Sequence, residues 1–160
     1  MSNSLTDEVK KILAPAPDEK TLVITVGNTL RSDDGVGPFV ADGVKSTPEN
    51  IHILNVGDRP ENSVDEAVDF RPDRTIVIDA ADFGGAPGEV RNIPREAIPQ
   101  TTLSTHTFPL PVITKMIEEE SGSKVYFLGI QPLKVSLGEG LSPAVEEAAR
   151  EIIKLLDKGD

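Results

Sequence analysis

A polar loop near the start of the chain separates an apolar run from a helical pattern. Thr21–Val26 is a short apolar segment typical of a buried strand. Apolar residues then recur at helical spacing, with proline suited to the first helical position: Val36, Pro38, Phe39, Val40 and Val44. Open α/β sheets place their binding sites in such loops, at the carboxyl ends of strands. Asp33 and Asp34, which lie in this loop, are therefore the first candidates for a functional site.

Two familiar phosphate-binding patterns do not fit the loop. Gly35 and Gly37 begin a dinucleotide-binding fingerprint, but Val40 occupies the place of its third glycine. No Gly-Lys-Ser/Thr follows, which excludes a phosphate-cradling P-loop. The structural alternative stays open at this point, since Asp33 or Asp34 would also serve as the cap of the next helix.

Apolar strand patterns and amphipathic helices alternate through the rest of the chain. Strands are predicted at 51–56, 75–81, 89–93 and 124–130, and helices at 63–70, after Pro109 and from Ser142. This order predicts a three-layer α/β/α sandwich of the phosphorylase/hydrolase-like kind. Its twisted sheet has about five mostly parallel strands, one of them antiparallel. Residues 1–20 are predicted to be an amino-terminal extension, a short helix and an Ala/Pro linker, before a single domain at 21–160.

Serines mark the predicted start of two of these helices. Ser63 and Glu66 have the spacing of a capping box, and Ser142 precedes Pro143 as a helix cap would. The helix after Pro109 is expected to carry its apolar residues on one face: Val112, Ile113, Met116 and Ile117.

The charge and the cysteine content limit which binding partners and metal ligands are expected. The chain has 160 residues, a net charge of −11 and no cysteine. Such an acidic balance argues against nucleic acid and against an anionic membrane surface. Without thiolates, any metal ion would be bound by carboxylate, imidazole or backbone oxygen. No cationic leader or long apolar run is present, so we expect a cytoplasmic protein.

Two further residues are candidates for a site because of where they lie in the pattern. Asp79 follows the apolar run that begins at Thr75, and a buried carboxylate is costly unless paired, hydrogen-bonded or bound to a cation. The alternative for Asp79 is a turn residue that accepts from the next backbone amides. His106 lies just before a predicted helix. His52, within the second strand, is expected to be packed or to face solvent.

Asp34, Asp79 and His106 each lie where a loop meets a regular element. In a doubly wound sheet, these three loops can meet at one edge. Two carboxylates and one imidazole suit Zn²⁺, Ni²⁺ or Mn²⁺ and leave coordination positions open for water or substrate.

These residues lie in a series of motifs that resembles the NiFe hydrogenase maturation endopeptidases, most closely the hydrogenase-3 branch. The series runs in the family's order from residue 21 to the carboxyl end. Its members are Gly27–Gly37, Arg59–Asn62, Val77–Asp82, Pro87–Arg91, Ser104–His106 and Phe127–Pro132. One departure is mild, since some members carry glutamate where this chain has Asp34.

The resemblance implies an endopeptidase that removes the carboxy-terminal extension of the hydrogenase large-subunit precursor after nickel insertion. It implies that Asp34, Asp79 and His106 are both the catalytic and the metal-contacting residues. The metal would be Ni²⁺ held by the substrate, replaceable by Zn²⁺ or Cd²⁺ in vitro, and the protease would be a monomer.

Two chemical routes remain open from the residues. One uses a metal-polarised carbonyl or metal-activated water with a carboxylate as base, and the other a pair of aspartates sharing a proton. One alternative function is a nickel-dependent chaperone that binds the precursor without cutting it. The other is a phosphate- or nucleotide-binding α/β module, for which the loop after the first strand is the only support. The long glycine-bearing segment 131–141 is expected to hold the substrate tail, as long connections often do.

Overall fold

A computed structural model describes residues 5–14, 16–101, 103 and 109–157. The helices are α1 (Asp7–Leu13), α2 (Val36–Gly43), α3 (Ser63–Phe70), α4 (Ile98–Thr101), α5 (Leu110–Ser121) and α6 (Pro143–Leu156). The strands are β1 (Thr21–Val26), β2 (Ile51–Gly57), β3 (Arg74–Ala80), β4 (Val90–Asn92) and β5 (Lys124–Ile130). Short 3₁₀ turns lie at Ser32–Gly35, Pro60–Asn62 and Arg95–Ala97.

The five strands form one sheet in the order β2-β1-β3-β5-β4. β1 pairs in parallel with both β2 and β3, β5 is parallel to β3, and β4 is antiparallel to β5. The chain leaves β1 for β2 on one side and returns to β3 on the other. The crevice outside the carboxyl ends of β1 and β3 is therefore the topological switch point, where such sheets bind ligands.

Two apolar clusters cover the two faces of the sheet. One joins Val23, Ile76 and Ile78 to α1, α2 and α6. The other joins Leu22, Ile24 and Val77 to α3 and α5. Because successive strand residues point to opposite faces, both faces are buried, as a parallel sheet requires. The predicted three-layer architecture, with its one antiparallel strand, is confirmed.

Helix α1 packs against the domain. Its apolar side chains Val9, Ile12 and Leu13 are buried in the cluster that also contains α6 residues. The Arg74 guanidinium donates to the carbonyl oxygens of Ile12 and Ala14, each at 2.8 Å. The amino-terminal helix is thus fastened to the start of β3, while the domain boundary at residue 20 stays a prediction.

Several local details differ from the sequence-based expectations. A 3₁₀ turn precedes α2, so Pro38 is the third residue of the helix and not the first. Ser63 Oγ donates to the Pro60 carbonyl at 2.6 Å and makes no capping bond, because the chain is already turning before α3 begins. On α5, Val112 and Met116 are exposed, whereas Leu110, Ile113 and Ile117 are buried.

Of the helices in the described part of the chain, none combines the length and the apolar character needed to cross a lipid bilayer.

Candidate active site

Asp34 lies in the turn that follows β1. Its carboxylate accepts a hydrogen bond from the backbone N–H of Asn28 at 2.9 Å, and the residue is 3% exposed. The chain can fold back this closely because Gly27 has φ +150°, and a Cβ at that position would collide with the Asp34 carbonyl oxygen. The loop therefore holds a buried carboxylate at the carboxyl end of β1.

Asp79 is the penultimate residue of β3, and it is 2% exposed. Val77 and Ala81 belong to the cluster formed with α3 and α5, so alternation along the strand places Asp79 on that same face. Burial, and then the nearby charge of Asp34, raise the pKa of Asp79 well above its ordinary value of 3.8. The N–H of Ala80 donates to Asp79 Oδ1 at 2.8 Å and offsets part of this effect.

The two predicted carboxylates therefore lie together at the switch point. Asp34 comes from the loop after β1 and Asp79 from the end of the adjacent strand β3. Two buried carboxylates that repel one another are stabilised by a cation or by a proton held on one of them. This arrangement is compatible with both chemical routes that the sequence leaves open, metal-assisted hydrolysis and a pair of aspartates that share a proton.

His106, the third predicted site residue, lies outside the described residues. Within 5–14, 16–101, 103 and 109–157, no three acidic or imidazole side chains are grouped so that they could hold a metal ion. His52 is half-buried, with its ring centroid 5.5 Å from that of Phe70 and its Nε2 3.3 Å from Glu66 Oε2. It lies near the amino end of β2, away from the switch point.

Asp33 has a structural function that its sequence context does not reveal. Its carboxylate accepts four hydrogen bonds, from the N–H groups of Leu133 (2.9 Å) and Lys134 (3.0 Å) and from the N–H (2.7 Å) and hydroxyl (2.8 Å) of Ser142. Burial raises the pKa of Asp33, but these hydrogen bonds outweigh it, so the pKa lies below the ordinary value of 3.8. Neither aspartate of the loop caps α2.

The segment 132–142 lies along the turn that carries the two aspartates. Ser32 donates from its N–H to the Gly138 carbonyl at 2.8 Å and from its hydroxyl to the Ser136 carbonyl at 2.7 Å. In return, the Gly138 N–H donates to the Leu30 carbonyl at 2.9 Å. The long connection is thus hydrogen-bonded to the turn that carries Asp34.

Gln131 fixes the loop that follows Asp79. Its side-chain oxygen accepts from the N–H groups of Phe83 (2.9 Å) and Gly85 (3.0 Å), and its amide nitrogen donates to Asp82 Oδ1 at 3.0 Å. The sequence marked Gln131 only as part of a motif, because its partners lie more than 45 positions away.

Comparisons with known proteins agree with this architecture. The HycI family profile, described as hydrogenase maturation protease, matches residues 43–158. The hydrogenase 3 maturation protease of Escherichia coli K12 is 32% identical over 138 residues, 85% of this chain and 88% of that protein. A putative hydrogenase maturation protease of Methanocaldococcus jannaschii is 28% identical over 82% of this chain and 80% of its own length.

Solved structures give the same assignment. The crystal structure of HycI from Thermococcus kodakarensis has a TM-score of 0.77 and 30% identity, and the match covers 93% of this chain and 96% of that one. The solution structure of HycI from Escherichia coli has a TM-score of 0.76 and 30% identity, over 86% and 89% of the two chains. With its fold and matched length, this chain belongs to the HycI family of hydrogenase maturation proteases.

Proposed function

We propose that this protease removes the carboxy-terminal extension of a NiFe hydrogenase large-subunit precursor after nickel has been inserted. In this proposal Asp34, Asp79 and His106 recognise the nickel that the substrate carries. The observation that carries it is the pair of buried carboxylates, in which the charge of Asp34 helps to raise the pKa of Asp79.

Recognition of substrate nickel follows from the electrostatics of this pair. A divalent cation brought in by the precursor would remove the repulsion between Asp34 and Asp79 and compensate their burial. A precursor without nickel lacks this anchor, so its scissile bond is not held in a reactive position. Cleavage thereby reports that the hydrogenase has received its metal.

Hydrolysis has two routes with these side chains. In the first, the substrate's nickel acts as a Lewis acid on the scissile carbonyl while a carboxylate takes the proton of the attacking water. In the second, Asp79 holds a proton beside ionised Asp34, and the pair acts as an aspartic protease does. The raised pKa of Asp79 supports the proton-holding role in the second route.

Exposed apolar side chains border the switch point. Leu30 lies before the Asp34 turn, while Leu133 and Leu137, 66% and 84% exposed, lie on the segment bonded to that turn. Val112 is also exposed, in the first turn of α5. These side chains offer an apolar border for the tail of a protein substrate.

The decisive experiment incubates the protease with nickel-loaded and with nickel-free precursor and follows the precursor mass. We expect loss of the extension only from the loaded form. Asp34→Asn and His106→Ala should each abolish cleavage while remaining folded. Cleavage of the nickel-free form at the same rate, or normal cleavage by either variant, would contradict the proposal. A stable complex without a change in mass would identify a chaperone.

Binding of the substrate tail is tested by substituting exposed residues of the segment 132–142. Leu137→Ser and Leu133→Ser should raise KM without lowering kcat, because these side chains are exposed and carry no part of the hydrogen-bonded network. Unchanged KM in the double variant would show that the tail binds elsewhere.

A further inference from the structure

The turn Ser32–Gly35, which presents Asp34, adopts a backbone shape that its own residues do not favour. Ser32 has φ +53°, in the left-handed region that a residue with a Cβ enters only at a cost. The segment 132–142 compensates this cost by accepting from both the N–H and the hydroxyl of Ser32. The shape of the turn is therefore held from outside, by residues about 100 positions later in the chain.

Asp33 is the main fastening between this turn and the segment. Its carboxylate accepts four hydrogen bonds, all from Leu133, Lys134 and Ser142. In the opposite direction, the backbone N–H of Asp33 donates to the Lys134 carbonyl at 2.9 Å. The residue is fully buried, so water does not replace these partners. Asparagine cannot reproduce the set, because its amide nitrogen would face N–H or O–H donors.

The position of Asp34 depends directly on this fastening. Asp34 follows Asp33 in the same turn, and its N–H donates to the Arg31 carbonyl at 3.1 Å. Its carboxylate, in contrast, is bonded to the N–H of Asn28, outside the turn. If the turn relaxes, the backbone of Asp34 shifts while one side-chain partner stays, so the carboxylate reorients relative to Asp79.

We propose that Asp33 is a positioning residue of the protease: it fastens the segment 132–142 to the Ser32–Gly35 turn and thereby sets the orientation of the Asp34 carboxylate. This inference rests on the proposed function, in which Asp34 meets the substrate's nickel. Asp33 itself touches neither substrate nor metal in this scheme.

The first test compares Asp33→Asn with Asp73→Asn in processing of nickel-loaded precursor. Asp73 is the control, because it is an exposed aspartate just before the amino end of β3, where its carboxylate accepts from the Lys20 N–H at 2.8 Å. A misplacement of about 1 Å lowers a rate about 10²-fold, so Asp33→Asn should lose about that factor in kcat/KM. Asp73→Asn should stay close to the parent protein. Both proteins are assayed well below their unfolding temperatures, and equal kinetics for the two variants would overturn the inference.

The second test asks whether Asp33 acts through Asp34. Asp34→Glu moves the carboxylate by one methylene and leaves the charge in place. If Asp33 orients that carboxylate, Asp33→Asn should cost much less kcat/KM in the Asp34→Glu background than in the parent protein. If Asp33 has only a general structural role, the double variant should lose kcat/KM by the product of the two single-variant factors. That result would refute the positioning role. Failure of the parent protein to cut the loaded precursor would instead reject the proposed function itself.

Discussion

The hydroxyl of Ser142 donates to Asp33 Oδ2 at 2.8 Å, and the N–H of the same serine donates to Asp33 Oδ1 at 2.7 Å. Ser142 occupies the cap position of α6, where a serine oxygen would ordinarily accept from the helix. Its side chain makes no capping bond and instead ties the start of α6 to the turn before α2. The predicted helix start and the predicted cap position of Ser142 are therefore confirmed, but its side chain bonds to Asp33 and not to the helix.

Ser142→Ala should lower the free energy of unfolding by about 1.5–3 kcal/mol, because a hydrogen bond to a charged acceptor is lost. Urea denaturation at pH 7 measures the change. Ser121→Ala is the control, since both partners of Ser121 Oγ are neutral: it donates to the Ile117 carbonyl and accepts from the Ser123 N–H. An equal or smaller loss for Ser142→Ala would mean that the Asp33 contact is weak.

Asp33→Asn should make the free energy of unfolding depend less on pH at acidic pH. The folded-state pKa of Asp33 is below its ordinary value of 3.8, so its ionised form stabilises the fold. That contribution is present above the ordinary value and is lost as pH falls through the lowered pKa. Unfolding free energies measured from pH 7 down to strong acid should therefore converge for parent and variant. A constant difference at every pH would contradict this assignment.

Asp79→Asn should make the protein more stable at pH 7 while abolishing processing. The pKa of Asp79 is raised by burial and by Asp34, so its ionised form opposes folding at neutral pH. The variant's advantage should vanish as pH falls below 3.8, where the carboxyl is protonated in both folded and unfolded chains. Thermal unfolding across this range provides the measurement, and a less stable variant at pH 7 would show that the pair is already neutralised.

Gly37→Ala should lower stability by about 2–3 kcal/mol, because the added Cβ meets only backbone atoms that cannot move aside. These atoms are the carbonyl oxygen and nitrogen of Val26 and the carbonyl oxygen of Ile78. Gly122→Ala is the control: no atom lies within 4 Å of its Cβ, and its φ of +77° costs about 1 kcal/mol. Similar losses for the two variants in urea denaturation would argue against close packing of α2 on β1.

Arg74→Gln should lower stability by about 2 kcal/mol and leave processing unchanged. The guanidinium fastens the end of α1 through Ile12 and Ala14 and also donates to Thr21 Oγ1 at 2.8 Å. Arg91→Gln, whose partner Glu89 is partly exposed, serves as the control with a smaller expected loss. A loss of processing at temperatures where Arg74→Gln is folded would assign the amino-terminal helix a role in function.

The elements of the sheet could be predicted because their signals are local. Thr21–Val26 and Lys124–Ile130 match the observed strands residue for residue, since apolar runs of that length fit a sheet buried on both faces. The helix faces were harder to predict. Val112 and Met116 have the helical spacing of a buried stripe yet are exposed, because the buried face of α5 runs through Leu110, two positions before the predicted stripe, and through Ile113 and Ile117.

For the candidate site, too, some residues could be predicted from the sequence and others could not. Asp34 and Asp79 could be found from the sequence because each comes at the end of an apolar run or in the loop after it, and parallel strands bring their carboxyl ends to one edge. The function of Asp33 could not be found, because all of its side-chain partners lie at least 100 positions away. The role of His106 stays a prediction of the sequence.

By itself, the sequence determined the order of strands and helices along the chain, the acidic net charge and the presence of two aspartates near strand ends. These features can be read from the composition or from neighbours within a few residues. Only the tertiary structure decided which of two adjacent aspartates supports the other. Asp33 is saturated by donors from the segment before α6, whereas Asp34 lies beside Asp79, whose pKa is raised by burial and then by the charge of Asp34. The physical reason is that hydrogen bonds and charge repulsion act through a few ångströms of space, and only folding brings residues 33, 79 and 142 that close.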